Sequence, residues 1–387
     1  MKILHCAAGK LYGGVETHLT TLARTRQQAP GLESEFGVCF ERRLATELRD
    51  LGVEVHNLGA VRYSRPWTLL GSRRRLREVL SRSRPDVLVC HGCWTHVAFA
   101  STAQKAGVPV IYWMHDAATG TNWMEWLAGR SRPDLVLANS RHTASMVNRL
   151  FPGPPPRTEI LYYPVEAPEP MNRAQVRSDL RAELKTDPDA VVLVMACRFE
   201  RWKGHTLLLD AVSRLVDRNG WVVWIAGGVQ RPHEQVYLDE LKAQAERLGI
   251  SDRVRWLGQR SDVRRVLTAA DLHCQPNIGA EPFGITFVEA LYAGLPVVST
   301  RLGGAIEIVD ETCGVLVDPD NPDALAGALG SLLDDPDRRV SLGANGPTRA
   351  AILSDPGHIL GRLAGMLEAE TVSRDRSQTR PAREARC

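Results

Sequence analysis

Twelve short apolar runs, rich in Val, Ile and Leu, recur along this chain with longer segments between them. The first six are KILHCA, EFGVCF, VEVHNL, DVLVCH, PVIYWMH and DLVLAN. The second six are AVVLVMACRF, WVVWIAGG, RVRWLGQ, DLHCQP, LPVVST and CGVLVD. Most are separated by amphipathic or cap-started helical patterns, the signature of parallel sheets covered on both faces. The rhythm breaks once, at FPGPPPRTEILYYPVEAPEP from Phe151 to Pro170, whose prolines suit a linker. Two doubly wound, Rossmann-like α/β domains follow, at 1–165 and 170–354, expected to face one another across a central cleft. A chain of 387 residues also exceeds the comfortable size of one core.

Charge excludes some functions. The net charge of +3 argues against nucleic acid as the main partner. The segment SRDRSQTRPAREARC has five arginines and two acids and supplies that excess alone. With no large apolar residue, 372–387 is expected to be a disordered basic tail. MKILHCAAG has too short an apolar run for a signal peptide, and no stretch reaches membrane-spanning length. Eight cysteines scattered among the strands fit reduced thiols, so a cytoplasmic protein is expected.

In open α/β sheets ligands bind beyond the carboxyl ends of strands, where helix N-termini point. Gly13 and Gly14 after the first run let the backbone approach an anion or sugar, or form a plain tight turn. They do not make the G-x-G-x-x-G fingerprint. His115 and Asp116 end the fifth run, and a lone histidine there serves structure as readily as chemistry. Arg198 and Lys203 flank a loop that opens a helix; they suit a diphosphate, or are two solvated bases.

Glu281 and Glu289 are eight positions apart. On one helix that is about 12 Å of rise, too far to grip one small group. Pro282 and Gly284 make a helix through Glu281 unfavourable, so the helix is expected to start near Gly284 or Ile285 and to close at Gly294 and Pro296. Glu281 then lies in the preceding loop and Glu289 in the second turn, with the free N–H groups of Gly284, Ile285 and Thr286 between them. Acids beside bare amides suit sugar hydroxyls flanking phosphate.

Together these residues resemble glycosyltransferase family 4, retaining enzymes of the GT-B fold. The resemblance is carried by E-x7-E at Glu281 and Glu289 within EPFGITFVEALYAGLPVVST, and by RFERWKG upstream. The Gly13–Gly14 pair, His115–Asp116 and GGAIEIV from Gly303 to Val309 support it. It implies an acceptor-binding first domain and a second domain that binds a nucleotide-sugar donor. Glu289 would hold ribose hydroxyls, Arg198 and Lys203 the diphosphate, and Glu281 hydroxyls of the donor sugar. The amides of Gly284 and Ile285 would lie by the phosphates, and the base near Gly227, Gly228 and the backbone of Gln259 and Arg260. His115 would face the transferred sugar, with Gly13 and Gly14 near the diphosphate and acceptor. A last helix at about 355–371 would cross back onto the first domain. LYYPVEAP departs from the usual Asn-Gly-Val-Asp-like turn, which leaves the hinge contact open.

The implied reaction is retaining, metal-independent transfer from a UDP-sugar, or second from GDP-mannose, to a small-molecule, glycan or lipid-linked acceptor. No cofactor is expected beyond the co-substrate. The Asp-Pro-Asp triplets at Asp187, Asp318 and Asp335 read as turns and caps, not metal sites. CHGC at Cys90 to Cys93 lacks a second pair and reads as strand-end packing. The Arg-rich stretch near 62–82 reads as a core-facing helix with a solvated basic face, or as a weak contact with the inner face of a membrane. Trp123 and Trp126 either stack on an acceptor or pack. A sugar-nucleotide epimerase and a non-catalytic nucleotide-sugar-binding partner are the competing functions.

Overall fold

The apolar runs become strands because β-branched residues fit a pleated surface buried on both sides. In the computed structural model, which describes residues 1–378, they form two all-parallel sheets in two compact units. One unit comprises Met1–Pro164 and the segment from Pro356, the other Val165–Asp355.

The first unit contains β1 (Lys2–Ala7), β2 (Glu33–Val38), β3 (Val55–Asn57), β4 (Val87–His91), β5 (Val110–Met114), β6 (Leu135–Ala138) and β7 (Thr158–Ile160). Their order is β3-β2-β1-β4-β5-β6-β7. β7 was not expected. It lies inside the proline-rich stretch read as a linker, pairs with β6 from Thr158 to Ile160, and passes to the buried Leu161. A three-residue edge strand leaves little periodicity to read. The helix Pro356–Gln378 belongs to this unit: Ile359, Leu360, Leu363 and Leu367 enter a core shared with Leu19, Leu22 and Leu135. Arg362 Nη2 donates to the Ile160 carbonyl at 2.9 Å. This helix continues past 371 into the segment expected to be disordered, and the rest of that tail lies outside the described residues.

The second unit contains β8 (Val191–Ala196), β9 (Trp221–Ala226), β10 (Val254–Gly258), β11 (Leu272–Gln275), β12 (Val297–Thr300) and β13 (Gly314–Val317), ordered β10-β9-β8-β11-β12-β13. Val165 N–H donates to the Ser354 carbonyl at 2.9 Å, tying the two ends of the unit together. The expected gap at 166–169 is therefore part of this unit.

The strand order reverses direction between β8 and β11. That switch point opens a crevice at the carboxyl ends of the two strands. The loops that follow β8 and β11 are those carrying Arg198, Lys203 and Glu281. Among the described residues no helix is long and apolar enough to cross a membrane.

Candidate active site

Two loops meet at the switch point of the second unit. The β8 loop closes in a short 3-10 turn, Arg201–Lys203, ended by Gly204 at φ 81°. A Cβ on Gly204 would overlap the carbonyl of Pro276, so the β11 loop can approach only because this residue is glycine. The amides of Ile278 and Gly279 both donate to the Trp202 carbonyl, at 2.9 and 3.1 Å. The two loops are thus laced through backbone.

This lacing brings Lys203 Nζ to 2.6 Å from Glu281 Oε2. The same oxygen accepts from Asn277 Nδ2 at 2.9 Å and Gln275 Nε2 at 3.1 Å. The Asn277 carbonyl accepts from Thr300 Oγ1 at 2.5 Å, and the Gln275 carbonyl from Ser299 Oγ at 2.8 Å. The Glu281 backbone bridges to Gly303, and Gly304 N–H donates to its carbonyl at 2.6 Å. A Cβ on Gly303 would strike that Glu281 backbone. Glu281 is buried, charge-paired and fixed from three sides, with Oε1 left without a partner among the described residues.

Arg198 pairs with Glu200 at 3.0 Å, and Trp202 Nε1 donates to Glu200 at 3.0 Å. Both cations read as a diphosphate site therefore carry an acid partner. Cys197 follows β8 at the start of the same loop and carries a free thiol. Burial pushes that thiol up to about 12, opposed by Lys203 and Arg198.

The helix over the second acid is Ile285–Tyr292, as Pro282 and Gly284 led one to expect. Gly284 caps it at φ 106°, where a Cβ would overlap the ring of Phe287. The N–H groups of Ile285 and Thr286 open the helix and have no intrahelical acceptor, so the helix mouth carries partial positive charge. Glu289 sits one turn further on, half-buried in a pocket with Glu166, Pro168, Arg264, Thr268 and Tyr292. Burial raises its carboxyl to about 7, opposed in part by Arg264.

Gly227 and Gly228 follow β9 where side chains would not fit. Gly227 N–H donates to the Gly258 carbonyl at 2.9 Å, and a Cβ on Gly228 would lie 2.9 Å from the Cβ of Gln259. Arg260 spends its guanidinium on Asp262 and Glu183, at 2.7 Å each, and those acids hold it well above its ordinary range.

In the first unit Gly13 precedes the helix Gly14–Thr25, and its N–H donates to the Glu16 carboxylate at 3.0 Å. His115, expected to face the transferred sugar, lies just after β5. It is buried, its Nε2 lies 2.9 Å from His91 Nδ1, and its Nδ1 meets the Tyr163 hydroxyl. Both ring nitrogens therefore have a partner within the first unit. His91 in turn meets His5 at 3.0 Å, and burial holds both His5 and His115 down at about 3, as neutral rings. Tyr163 stands in the atypical LYYPVEAP stretch and also accepts from Asn139 Nδ2 at 3.0 Å. Asp116 follows, exposed. Trp123 and Trp126 are 57% and 59% exposed on the helix Trp123–Ala128, so neither is core.

Two of the Asp-Pro-Asp triplets serve a turn and a cap: Asp187 Oδ1 accepts from Asp189 N–H at 2.8 Å, and Asp335 Oδ1 caps the helix Pro336–Ser354 through Arg338 N–H at 2.9 Å. Cys90 is buried on β4, and Cys93 Sγ lies 3.1 Å from the Tyr112 hydroxyl. Sequence reasoning missed Gln275, Asn277 and Arg264. The polar QPN at the end of an otherwise apolar strand was the available signal for the first two.

A family model described as "Glycosyl transferases group 1" matches residues 176–349, and one described as "Glycosyltransferase Family 4" matches residues 12–167. D-inositol 3-phosphate glycosyltransferase of Corynebacterium glutamicum (strain R) is 36% identical over 197 residues, 49% of this chain and 46% of that protein. The protein of the same name from Segniliparus rotundus is 28% identical over 277 residues, 67% of this chain and 61% of its own. This chain spans about half the length of the curated relatives it matches. Among solved structures, Anabaena Alr3699/HepE in complex with UDP and glucose superimposes with a TM-score of 0.82 at 25% identity, covering 95% of this chain and 99% of that one. Each half of the sequence meets its own model in turn and both sheets have solved counterparts: the chain belongs to the family 4 glycosyltransferases and has the GT-B fold.

Proposed function

We propose that this chain transfers a sugar from a nucleotide-diphosphate sugar to an acceptor hydroxyl, with retention at the anomeric carbon and without a metal. The observation that carries this is the Lys203–Glu281 pair, held beside the open amides of Ile285 and Thr286 at the sheet's switch point. Cleavage of the anomeric C–O bond leaves negative charge on the diphosphate. Lys203, Arg198 and the helix mouth would meet that charge, the largest demand of such a reaction. Glu281 Oε2 is saturated by three donors, so Glu281 suits holding donor-sugar hydroxyls through Oε1 rather than attacking carbon. With Glu281 Oε2 so engaged, same-face displacement fits best, the departing phosphate taking the acceptor proton. Glu289 in its pocket would accept from ribose hydroxyls, and the Gly227–Gly228 and Gln259–Arg260 backbones would border the base.

UDP is the first donor nucleotide to test, since HepE is solved with UDP and with UDP-glucose, and GDP-mannose is the second. Relatives named for D-inositol 3-phosphate make a phosphorylated cyclitol one acceptor to test. Trp123 and Trp126, with Asp116, are the first unit's candidates for acceptor contact. Product analysis decides the reaction. A new glycoside supports transfer, an altered sugar nucleotide means epimerisation, and recovery of both reactants unchanged means a binding protein.

A further inference from the structure

The helix Pro66–Ser83 puts Ser72, Leu76, Val79 and Leu80 into the core of the first unit, and Arg73 anchors it by donating to the carbonyls of Ala98 and Val97 at 2.7 and 2.9 Å. Its other side is unusual. Trp67 and Leu70 are 67% and 64% exposed, although nothing in the core requires them to be there. At 100° per residue, Trp67, Leu70, Arg74 and Arg77 fall in one stripe about 80° wide. The stripe is apolar in its first turn and cationic in the next two. Arg62, Arg65, Arg75 and Arg82 are exposed around it, and Glu78, paired with Arg74 at 3.2 Å, is the acid among them. A second element continues the aromatic surface: Tyr63 meets Trp123 edge-on at 5.7 Å, and Trp126 carries Arg130 against its ring at 3.7 Å.

We infer that this face of the first unit docks on an anionic phospholipid bilayer, with Trp67 and Leu70 entering the interface and the arginines meeting lipid phosphates. A solvated basic face explains the arginines but not two large apolar side chains left in water on the same stripe. An interface between water and hydrocarbon satisfies both, because tryptophan lies at headgroup depth while arginine pairs with anionic headgroups. The helix begins at the carboxyl edge of the sheet, just after β3, so docking would bring a bilayer to the edge where α/β sheets receive ligands. The inference stands on this surface alone and does not require glycosyl transfer.

The test is co-sedimentation of the full chain with vesicles of phosphatidylcholine, alone or with about one third phosphatidylglycerol. Binding is expected on the anionic vesicles only and should weaken as salt rises. W67S/L70S and R74E/R77E are each expected to weaken it by about tenfold or more while the melting temperature holds. R380E/R383E/R386E, which reverses charge in the C-terminal segment, should leave binding unchanged. The inference is overturned by absence of binding at low salt, or by equal binding to neutral vesicles. Binding that survives both helix variants, or that follows the C-terminal charges instead, overturns it too. So does a dimer in solution that W67S/L70S converts to monomer.

Discussion

Lys203 and Glu281, 78 positions apart in sequence, stand 2.6 Å apart as a buried ion pair. Charges taken out of water are tolerated when geometry and further hydrogen bonds compensate, and here Gln275 and Asn277 supply those bonds. The pair holds two loops at the switch point of the second sheet.

Lys203→Ala leaves the Glu281 carboxylate buried with only two neutral donors. It should lower stability by about 2–4 kcal/mol in denaturant titration and cut transfer at least about a hundredfold. A double-mutant cycle with Glu281→Gln should show the two losses to be coupled, since they share one contact.

Asn277→Asp places a second carboxylate within 2.9 Å of Glu281 Oε2. Two acids that close cannot both ionise without a large penalty. Transfer by this variant should fall steeply between neutral and alkaline pH and partly recover on acidification. Asn277→Ser should show no such added pH dependence.

Gly204→Ala would force a β-carbon into the Pro276 carbonyl at a φ of 81°. The expected loss is about 2–4 kcal/mol, with activity failing alongside because the lacing of the two loops opens. Gly107, also at positive φ but with open space around its Cβ position, serves as the control and should lose about 1 kcal/mol on substitution by alanine.

Glu289 makes stability depend on pH. Burial raises its folded carboxyl to about 7 from an ordinary 4.5, so the folded state binds the proton more tightly. Its contribution is complete below about pH 4.5 and is lost as pH climbs through 7. The melting temperature of Glu289→Gln minus that of the native chain should therefore rise across this window. Donor affinity should rise over the same window in the native chain, as the carboxylate that accepts ribose hydroxyls forms. A flat difference curve would remove both expectations.

Transfer should persist in excess EDTA, because Lys203, Arg198 and the helix mouth are proposed to carry the diphosphate charge. Loss of activity that magnesium restores would contradict that reading.

Much of this was legible in the sequence because it is local. Strand-like runs fix two parallel sheets by composition alone, and Pro282 with Gly284 fixes where the Ile285–Tyr292 helix begins. The pairing of Lys203 with Glu281 was not legible, since it depends on two loops meeting at a reversal of strand order. Gln275 and Asn277 were hidden for the same reason: in sequence they look like the polar end of a strand. β7 was masked by the prolines around it. The row of buried histidines around His115 was not legible either, because a position after a strand looks the same whatever the side chain meets. The other partner of His115, Tyr163, comes back to it only after another 48 residues.

The most direct measurement is a crystal structure of the chain soaked with whichever UDP-, GDP- or ADP-sugar most raises its melting temperature. The account predicts the diphosphate against Lys203, Arg198 and the amides of Ile285 and Thr286, with ribose at Glu289 and the sugar at Glu281. A donor bound with its diphosphate away from Lys203 and the helix mouth, leaving that crevice filled with water, would contradict it.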